Sequence, residues 1–598
     1  MKTKNIKISG IICIIILGLL PVLSVLIRNI VSPAPVSLLT SQWNDELFYF
    51  KQVESIIDYG YPRGYYGFNE SKALSLSFAA WSPVLVWPWV IFGFLFGWTQ
   101  NLVFVYNLII YVIAMLAFGA LVKPNVKQTA VISVWFLSFF LNARYIYSSM
   151  PEVICFSHLI IYWALMISYL RGGKKSELGG AIVLAILMTF MRPYLILFLA
   201  FSLVVMIVTA KRGRKIIDTI LAIATFGVTA FVYYLLNHFL SAEYLLPFFY
   251  TDFITTFFTE GIGAGIHHLF GTLYYKGRDF LGFMKGAFTA DSAPGIFFWI
   301  FTIMMLLQFI MSVGDIRKML PKKAKSEKKT EAKGEDKTEV KSEIKADDKQ
   351  DAKVEAKADE IKKEMEAVVE AIADAKTPEI SEALKADAKA EEKESPYSEF
   401  VCGLYMLFAD FAFLMAILLM YKLTEGSKHL LTFIMAGVLV MILDKKKGLV
   451  CGLIMSAVVI YFGAFHCVGN DYDFGIPVKT PMTEAQYMYW EKAFRENIVL
   501  DLSDVPSYKN AIIWEFRDEV DGEYVTTEWQ MLYALPSGTG ISCCMDMNGG
   551  SSYTERNFYR LRCRYIAAPA GGRIDEMCEE AGYEIIGCDD QLVVYARY

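Results

Sequence analysis

A chain of 598 residues that is 55% hydrophobic and 15% aromatic, with a mean hydropathy of +0.39 and repeated apolar runs of spanning length, is excluded from the soluble enzymes. It reads as a polytopic α-helical membrane protein. The formal charge of −5 averages a charged linker, a mildly acidic tail and a nearly neutral membrane region, so it singles out no charged partner and no nucleic acid.

In chain order, Met-Lys-Thr-Lys-Asn-Ile-Lys precedes about twenty apolar residues from Ile8 to Ile27, with no small-residue cleavage site before Arg28. This predicts a retained anchor with its N-terminus in the cytoplasm. Next comes Trp43-Asn44-Asp45-Glu46-Leu47-Phe48-Tyr49, whose paired acids fall at the bilayer surface, where they stay charged at little cost within reach of a lipid headgroup. The same acids also suit the start of a helix running to Tyr59, since its dipole favours negative charge there. Further spans are predicted at about 101–122, 129–142, 153–170, 177–191, 193–210, 217–240, 295–315, 398–421, 429–443 and 448–467.

The apolar stretch Ser77–Trp98 decides the topology. If it does not cross, Lys123/Lys127, Arg171/Lys174/Lys175, Lys211/Arg212/Arg214/Lys215, Arg317/Lys318 and Lys445/Lys446/Lys447 all share the side of the N-terminal lysines, as the positive-inside bias requires. Trp81-Ser82-Pro83 and Trp87-Pro88 place helix-interrupting prolines and interfacial tryptophans in it, so it reads as a re-entrant or interfacial helix. The result is about eleven spans, with the Asp45 loop and everything after about residue 468 outside. The alternative is one more span and a cytoplasmic tail.

The outer loop Ser241–Pro294 carries Phe248-Phe249-Tyr250, a glycine run from Gly261, His267-His268 and Tyr274-Tyr275, which suit either a mobile gate or sugar-stacking wall, or an interfacial helix pair. Pro321–Ser395 is rich in Lys, Glu, Asp and Ala with no aromatic residue at all, a solvated cytoplasmic linker whose 356–375 part has a weak helical stripe. From Gly469 an α/β pattern appears. Thr483 caps a helix to about Asn497, apolar runs Ala511–Phe516, Met531–Leu535 and Ile541–Met545 alternate with turns, and a helix Arg573–Gly582 precedes strands Tyr583–Cys588 and Gln591–Ala596. Asp471-Tyr472-Asp473 is read as the start of this domain. Four regions result: a membrane module 1–315, the linker 316–397, rear helices 398–467 and a small extracytoplasmic α/β domain 468–598. Cys13, Cys155, Cys402, Cys451 and Cys467 lie in or beside spans. Cys543, Cys544, Cys563, Cys578 and Cys588 permit disulfides without specifying any, and no spacing is that of a zinc site.

The order of these features, with Trp-Asn-Asp-Glu-x-x-Tyr at 43–49, Tyr-Pro-x-Gly-Tyr-Tyr-Gly at 61–67, a Ser-Pro interfacial helix, hydrophobic hairpins and an external C-terminal domain, resembles the GT-C superfamily of integral-membrane glycosyltransferases. The likeness is to the bacterial branch related to protein O-mannosyltransferases and aminoarabinose transferases, and it covers roughly the first 315 residues. It implies an enzyme of the plasma membrane that moves a sugar from a polyprenyl-phosphate donor, with inversion, to an extracytoplasmic glycan, glycolipid or protein. Membrane lipid and that acceptor are the implied partners.

Carried over by motif, Asp45 is the base, Glu46 its orienting or acceptor-binding neighbour, and Glu152, in Met150-Pro151-Glu152, the second external acid; a helix-start role is the alternative for each. Tyr49, Tyr65 and Tyr66 are the implied sugar or acceptor contacts. The phosphate needs external cations, drawn from Arg63, Arg144, Arg192, Lys276, Arg278, Lys285, Lys422 and Lys428, with Arg192, Arg144, Lys428 and Arg278 the chosen set. Arg192, at a hairpin tip in apolar sequence, costs about 2.5–3.5 kcal/mol at the bilayer centre unless partnered, so it stands first; snorkelling to headgroups is its alternative, and headgroup anchoring that of Lys428. Some relatives bind a divalent metal, for which Glu70 and His267 are the residues available; no other cofactor is implied. A non-enzymatic lipid-linked glycan transporter or envelope-assembly scaffold is the competing class. Transporters place ionisable residues at mid-membrane and show internal repeats, and neither is expected here.

Overall fold

The computed structural model describes residues 2–31, 44–63, 66–70, 81–139, 141–241, 252–289, 293–319, 397–444, 447–466, 482–501, 508–514, 518–521, 523–525, 530–544 and 552–597. The linker's 320–396, Asp471-Tyr472-Asp473, Phe248-Phe249-Tyr250, Tyr65 and Cys467 lie outside them. The chain divides into two compact units, Met1–Ser312 with Ser398–Tyr598, and Val313–Tyr397. The first carries every feature below; the described part of the second is the end of one helix and the first residue of the next.

Helix α1 (Lys2–Val31) is followed by α2 (Asn44–Tyr59), with Asp45 and Glu46 in its first turn, and by a short strand β1 (Tyr66–Phe68). A 3-10 turn at Pro83–Val86, capped by Ser82, feeds α3 (Trp87–Phe96). Its 10 residues make about 15 Å of helix, half the hydrocarbon thickness. There follow α4 (Gln100–Val122), α5 (Val126–Ser138), α6 (Leu141–Ile146), α7 (Glu152–Leu170), α8 (Lys175–Met191), α9 (Ile196–Val208) and α10 (Lys215–Leu240). The described part of Ser241–Pro294 includes two helices, α11 (Asp252–Thr259) and α12 (Ile262–Gly286), tied by a 3.0 Å bond between Thr256 Oγ1 and His268 Nδ1. Then come α13 (Ala293–Met319), α14 (Tyr397–Met420), the short α15 (Leu423–Gly426), α16 (Leu430–Ile442) and α17 (Gly448–His466).

Every segment expected to span is helical. Among the described residues 6 helices are long and apolar enough to cross a bilayer, in α1, α4, α7, α10, α13 and α14. Helices α5, α9 and α16 have 13 residues each, about 20 Å, and are short of a full crossing. Hydrophobic positions sort accordingly. Helix α16 is apolar all round and buried along its whole length, the pattern of a helix enclosed by others. Helix α10 exposes Ile216, Ile223, Val228 and Phe231, an apolar face suited to lipid.

Beyond the membrane helices, α18 (Glu484–Asn497) opens at the expected Thr483 cap, in a capping box in which Thr483 receives the Gln486 amide and Gln486 the Thr483 amide. Strand β2 (Ala511–Trp514), a hairpin of β3 (Asp518–Val520) and β4 (Glu523–Val525), β5 (Gly540–Cys543), α19 (Ser552–Asn557), β6 (Tyr565–Pro569), α20 (Arg573–Glu580), β7 (Glu584–Cys588) and β8 (Leu592–Ala596) complete the chain. Met531–Leu535, read from its apolar run as part of the strand pattern, is instead a buried 3-10 turn at Gln530–Ala534.

The sheet is 6-stranded in the order β1-β5-β2-β6-β8-β7, parallel from β1 to β6 and antiparallel from there to β7. Its edge strand comes from the front of the chain: Tyr66, Gly67 and Phe68 pair with Ile541, Ser542 and Cys543. The region expected to be a complete domain from 468 onward therefore borrows a strand from 400 and more residues earlier. Its alternating side chains serve two cores. Ile512, Trp514, Tyr565, Ala567 and Val594 join the core that contains α2 and the membrane helices, whereas Ile513, Ile566, Ala568, Val593 and Tyr595 pack with Phe558, Ile574 and Cys578 on the other face. The five cysteines of this region are free thiols.

Candidate active site

Helix α2 is the keel of the site. Consecutive residues on a helix point about 100° apart, so Asp45 and Glu46 diverge. Glu46 is buried and accepts a hydrogen bond from Ser148, with Arg144 Nη2 at 3.4 Å, while its carbonyl accepts from Ser149 Oγ at 2.9 Å. These contacts clamp the first turn of α2 onto the segment between α6 and α7. Asp45 faces the other way and pairs with Lys428 Nζ at 2.6 Å, in the 3-10 turn Ser427–His429 that precedes α16. This pair is partly open, with side chains 25% and 22% exposed.

Beneath it lies a second pair. Glu152, the first residue of α7, receives Arg192 Nη2 at 2.8 Å, and both side chains are buried. Arg192 sits in the bend between α8 and α9, where Pro193 ends the helical hydrogen bonding, and also reaches Tyr194 Oη at 3.2 Å. Trp81 stands 6.0 Å from the Arg192 guanidinium and edge-on to His429 at 5.6 Å, and Tyr421 Oη lies 3.3 Å from His429 Nε2. Tyr49, one turn along α2 from Asp45, is enclosed by this group. Burial, then the Asp45 carboxylate, raises its hydroxyl well above the usual tyrosine value, so it stays a proton donor. Burial alone would weaken the Lys428 charge, but the Asp45 and Glu152 carboxylates outweigh it and raise its affinity for the proton.

Three buried polar atoms here have no hydrogen-bond partner among the described residues: Glu152 Oε2, Arg192 Nε and His429 Nδ1. A buried acceptor and donor left open beside a partly exposed ion pair mark this place as a candidate ligand site. The wall above is supplied by the C-terminal region: Tyr533 packs on Phe50 at 5.0 Å and lies 3.3 Å from Ser149 Oγ, Lys51 donates to the Leu535 carbonyl, and Tyr59 donates to Ser537 O at 3.0 Å.

The structure thus gathers Asp45, Tyr49, Glu152, Arg192 and Lys428, five positions singled out from sequence. Lys428 is paired with Asp45, and Arg192 is buried against Glu152. Arg144 is turned to Glu46, and Arg278, on α12, lies exposed beside Asp279 at 3.6 Å and over Tyr275. Lys276, also on α12, reaches the site's rim by donating to Tyr421 O at 3.2 Å.

Tyr66 is a sheet-edge residue, paired through its backbone with Ile541. Glu70 lies just past the end of β1. Its carboxylate accepts the backbone amides of Arg562 and Cys563 at 2.8 and 2.7 Å, riveting the end of β1 to the C-terminal region, while His267 lies on α12. Among the described residues no group of three or more His, Cys, Asp and Glu side chains is placed to hold a metal ion.

Trp81, Tyr194 and Tyr421 were not foreseen as site residues. Their signal was position, each within two residues of a proline, a lysine or a helix end at the mouth of an apolar hairpin. The sequence reading also passed over Asp410, a buried acid in the middle of α14, which supplies the mid-membrane ionisable group not expected above. No protein-family model, no curated protein and no solved structure matches this chain.

Proposed function

We propose that this chain is a membrane glycosyltransferase of the GT-C kind, which transfers a sugar from a polyprenyl-phosphate donor to a hydroxyl of an extracytoplasmic glycan, glycolipid or protein. The observation that carries the reading is the Asp45–Lys428 pair, partly open, set over the buried Glu152–Arg192 pair with its unpartnered oxygen and nitrogen.

In this mechanism the acceptor hydroxyl lies against Asp45, with Tyr49 and Glu152 Oε2 fixing it. As the acceptor oxygen attacks the anomeric carbon from the face opposite the phosphate, its proton passes to Asp45 and the bond to the phosphate oxygen breaks. The lipid phosphate gains one negative charge at the moment Asp45 loses its own. Lys428, released from the neutralised acid, is the cation that can turn to the leaving phosphate, so no general acid is required. Arg192 contributes its field from below, held in place by Glu152.

Sidedness in this reading is supported by parity. Because β1 and β5 share a sheet, the chain between them crosses a bilayer an even number of times, which agrees with a non-crossing Ser77–Trp98 and disfavours the extra span with a cytoplasmic tail. A second reading, a carrier or scaffold for lipid-linked glycans, draws support from Asp410. One experiment separates them: membranes holding the wild type or Asp45→Asn are incubated with radiolabelled polyprenyl-phosphate sugars and envelope acceptors. Transfer by the wild type that is lost in an equally abundant Asp45→Asn protein supports the enzyme; donor that is moved or bound but never cleaved supports the carrier.

A further inference from the structure

Asp410 lies within the spanning stretch Ser398–Met420 and is wholly enclosed, on the same face of α14 as the buried Cys402, Met406, Ala409, Phe413 and Ile417. Both of its carboxylate oxygens lack a hydrogen-bond partner, and the polar side chain set against it is Gln308 of α13, whose own Oε1 is likewise unpartnered. Three acceptor oxygens without a close hydrogen-bond partner among the described residues thus share one apolar enclosure, with the Gln308 amide nitrogen as the donor set toward the carboxylate. The amide of Gln308 is oriented by α16, where Gly437 gives it room: a Cβ at that position would lie 3.0 Å from Gln308 Nε2 and 2.8 Å from Met304 Sδ.

An acid in such surroundings does not stay charged alone, since apolar packing penalises an isolated carboxylate and no Lys or Arg among the described residues is paired with it. The groups around it bear this out. Helices α9 and α16 contain no titratable residue; His429 and Asp444 flank the ends of α16, and Glu399, Cys402 and Tyr405 lie on α14 itself, with Glu399 held by Arg171 at 2.7 Å. We propose that Asp410 and Gln308 form an intramembrane site for one monovalent cation, a proton or a sodium ion. The site is one helical turn from Phe413, whose ring stacks on Phe433 at 4.4 Å and lies 4.5 Å from Tyr194, the neighbour of Arg192. Its occupancy is therefore communicated to the packing beneath the candidate active site. The inference stands on this geometry and not on the glycosyltransferase reading.

The test uses the full-length protein in detergent and dicyclohexylcarbodiimide, which attacks carboxyl groups that carry a proton in apolar surroundings. The adduct is located by peptide mass, so no variant needs to fold; Asp410→Asn serves as a control, and Gln308→Leu as a variant that keeps the acid. Labelling is followed against pH without sodium, and against added sodium, with potassium as the comparison, at fixed pH. An adduct on Asp410 that falls about tenfold per pH unit on the alkaline side, indifferent to sodium, identifies a proton site. One that sodium suppresses and potassium does not identifies a sodium site. No adduct on Asp410, or one that neither pH nor sodium alters, overturns the proposal.

Discussion

Asp45 and Glu46 are adjacent and chemically alike, yet one is partly open and bonded to a lysine while the other is buried among Ser148 and Arg144. The helix between them makes the difference, and that much is deducible from 3.6-residue periodicity. What the sequence did not disclose is which cation each acid takes. Lys428 is 383 residues from Asp45, and Arg192 is 40 from Glu152. Pairing at such distances is set by how helices pack, and the local pattern around each residue carries no record of it. Residue types at the site were therefore legible and their couplings were not. The buried pair has a definite energetic consequence. Arg192→Met strands the Glu152 carboxylate and should lower stability by about 3–5 kcal/mol, read as a large drop in thermal unfolding temperature in detergent. The double variant Glu152→Leu/Arg192→Met should recover most of that loss while remaining inactive, because the fold needs neutrality there and the reaction needs the charges. Full activity in the double variant would remove the pair from the mechanism.

At the level of elements, strong local rules carried through. The Thr483–Gln486 capping box fixed the start of α18, and Asp45 and Glu46 the first turn of α2. The 3-10 turn at Gln530–Ala534 escaped because a short, continuous apolar run has no period of its own; it is buried as a prong against Phe50, and burial, not strand pairing, explains its composition. Strand β1 escaped for the complementary reason: three residues give too little pattern to declare a strand, and its partner lies far along the chain. Glu70 is the fastener of that strand. Glu70→Ala leaves the Arg562 and Cys563 amides without their acceptor, a cost of roughly 1–3 kcal/mol, and should speed hydrogen exchange in Tyr66–Phe68 and Gly540–Cys543 ahead of the rest of the sheet. Uniform exchange across all strands would assign Glu70 no special part.

Across the whole molecule, hydropathy located the helices well, because spanning length and apolar composition are properties of contiguous sequence. It did not reveal that the front loop and the C-terminal sheet are one body, with α2 shared between them. That union makes a prediction on topology. Cys588 is an exposed native thiol, so a membrane-impermeant maleimide should reach it and Tyr61→Cys from outside intact cells, whereas Lys349→Cys in the linker should react only after permeabilisation. Labelling of Cys588 only in permeabilised cells would reverse the orientation. The central claim is that Asp45 and Lys428, brought together across 383 residues of chain, act as one catalytic unit. Its most direct test is a double-mutant cycle on sugar transfer, with Asp45→Asn, Lys428→Ala and the two combined, at saturating donor. The account predicts that Asp45→Asn lowers kcat by about 10²–10⁴-fold and that adding Lys428→Ala costs little more, as for residues that work together. Transfer that survives Asp45→Asn, or losses that simply multiply in the double variant, would contradict it.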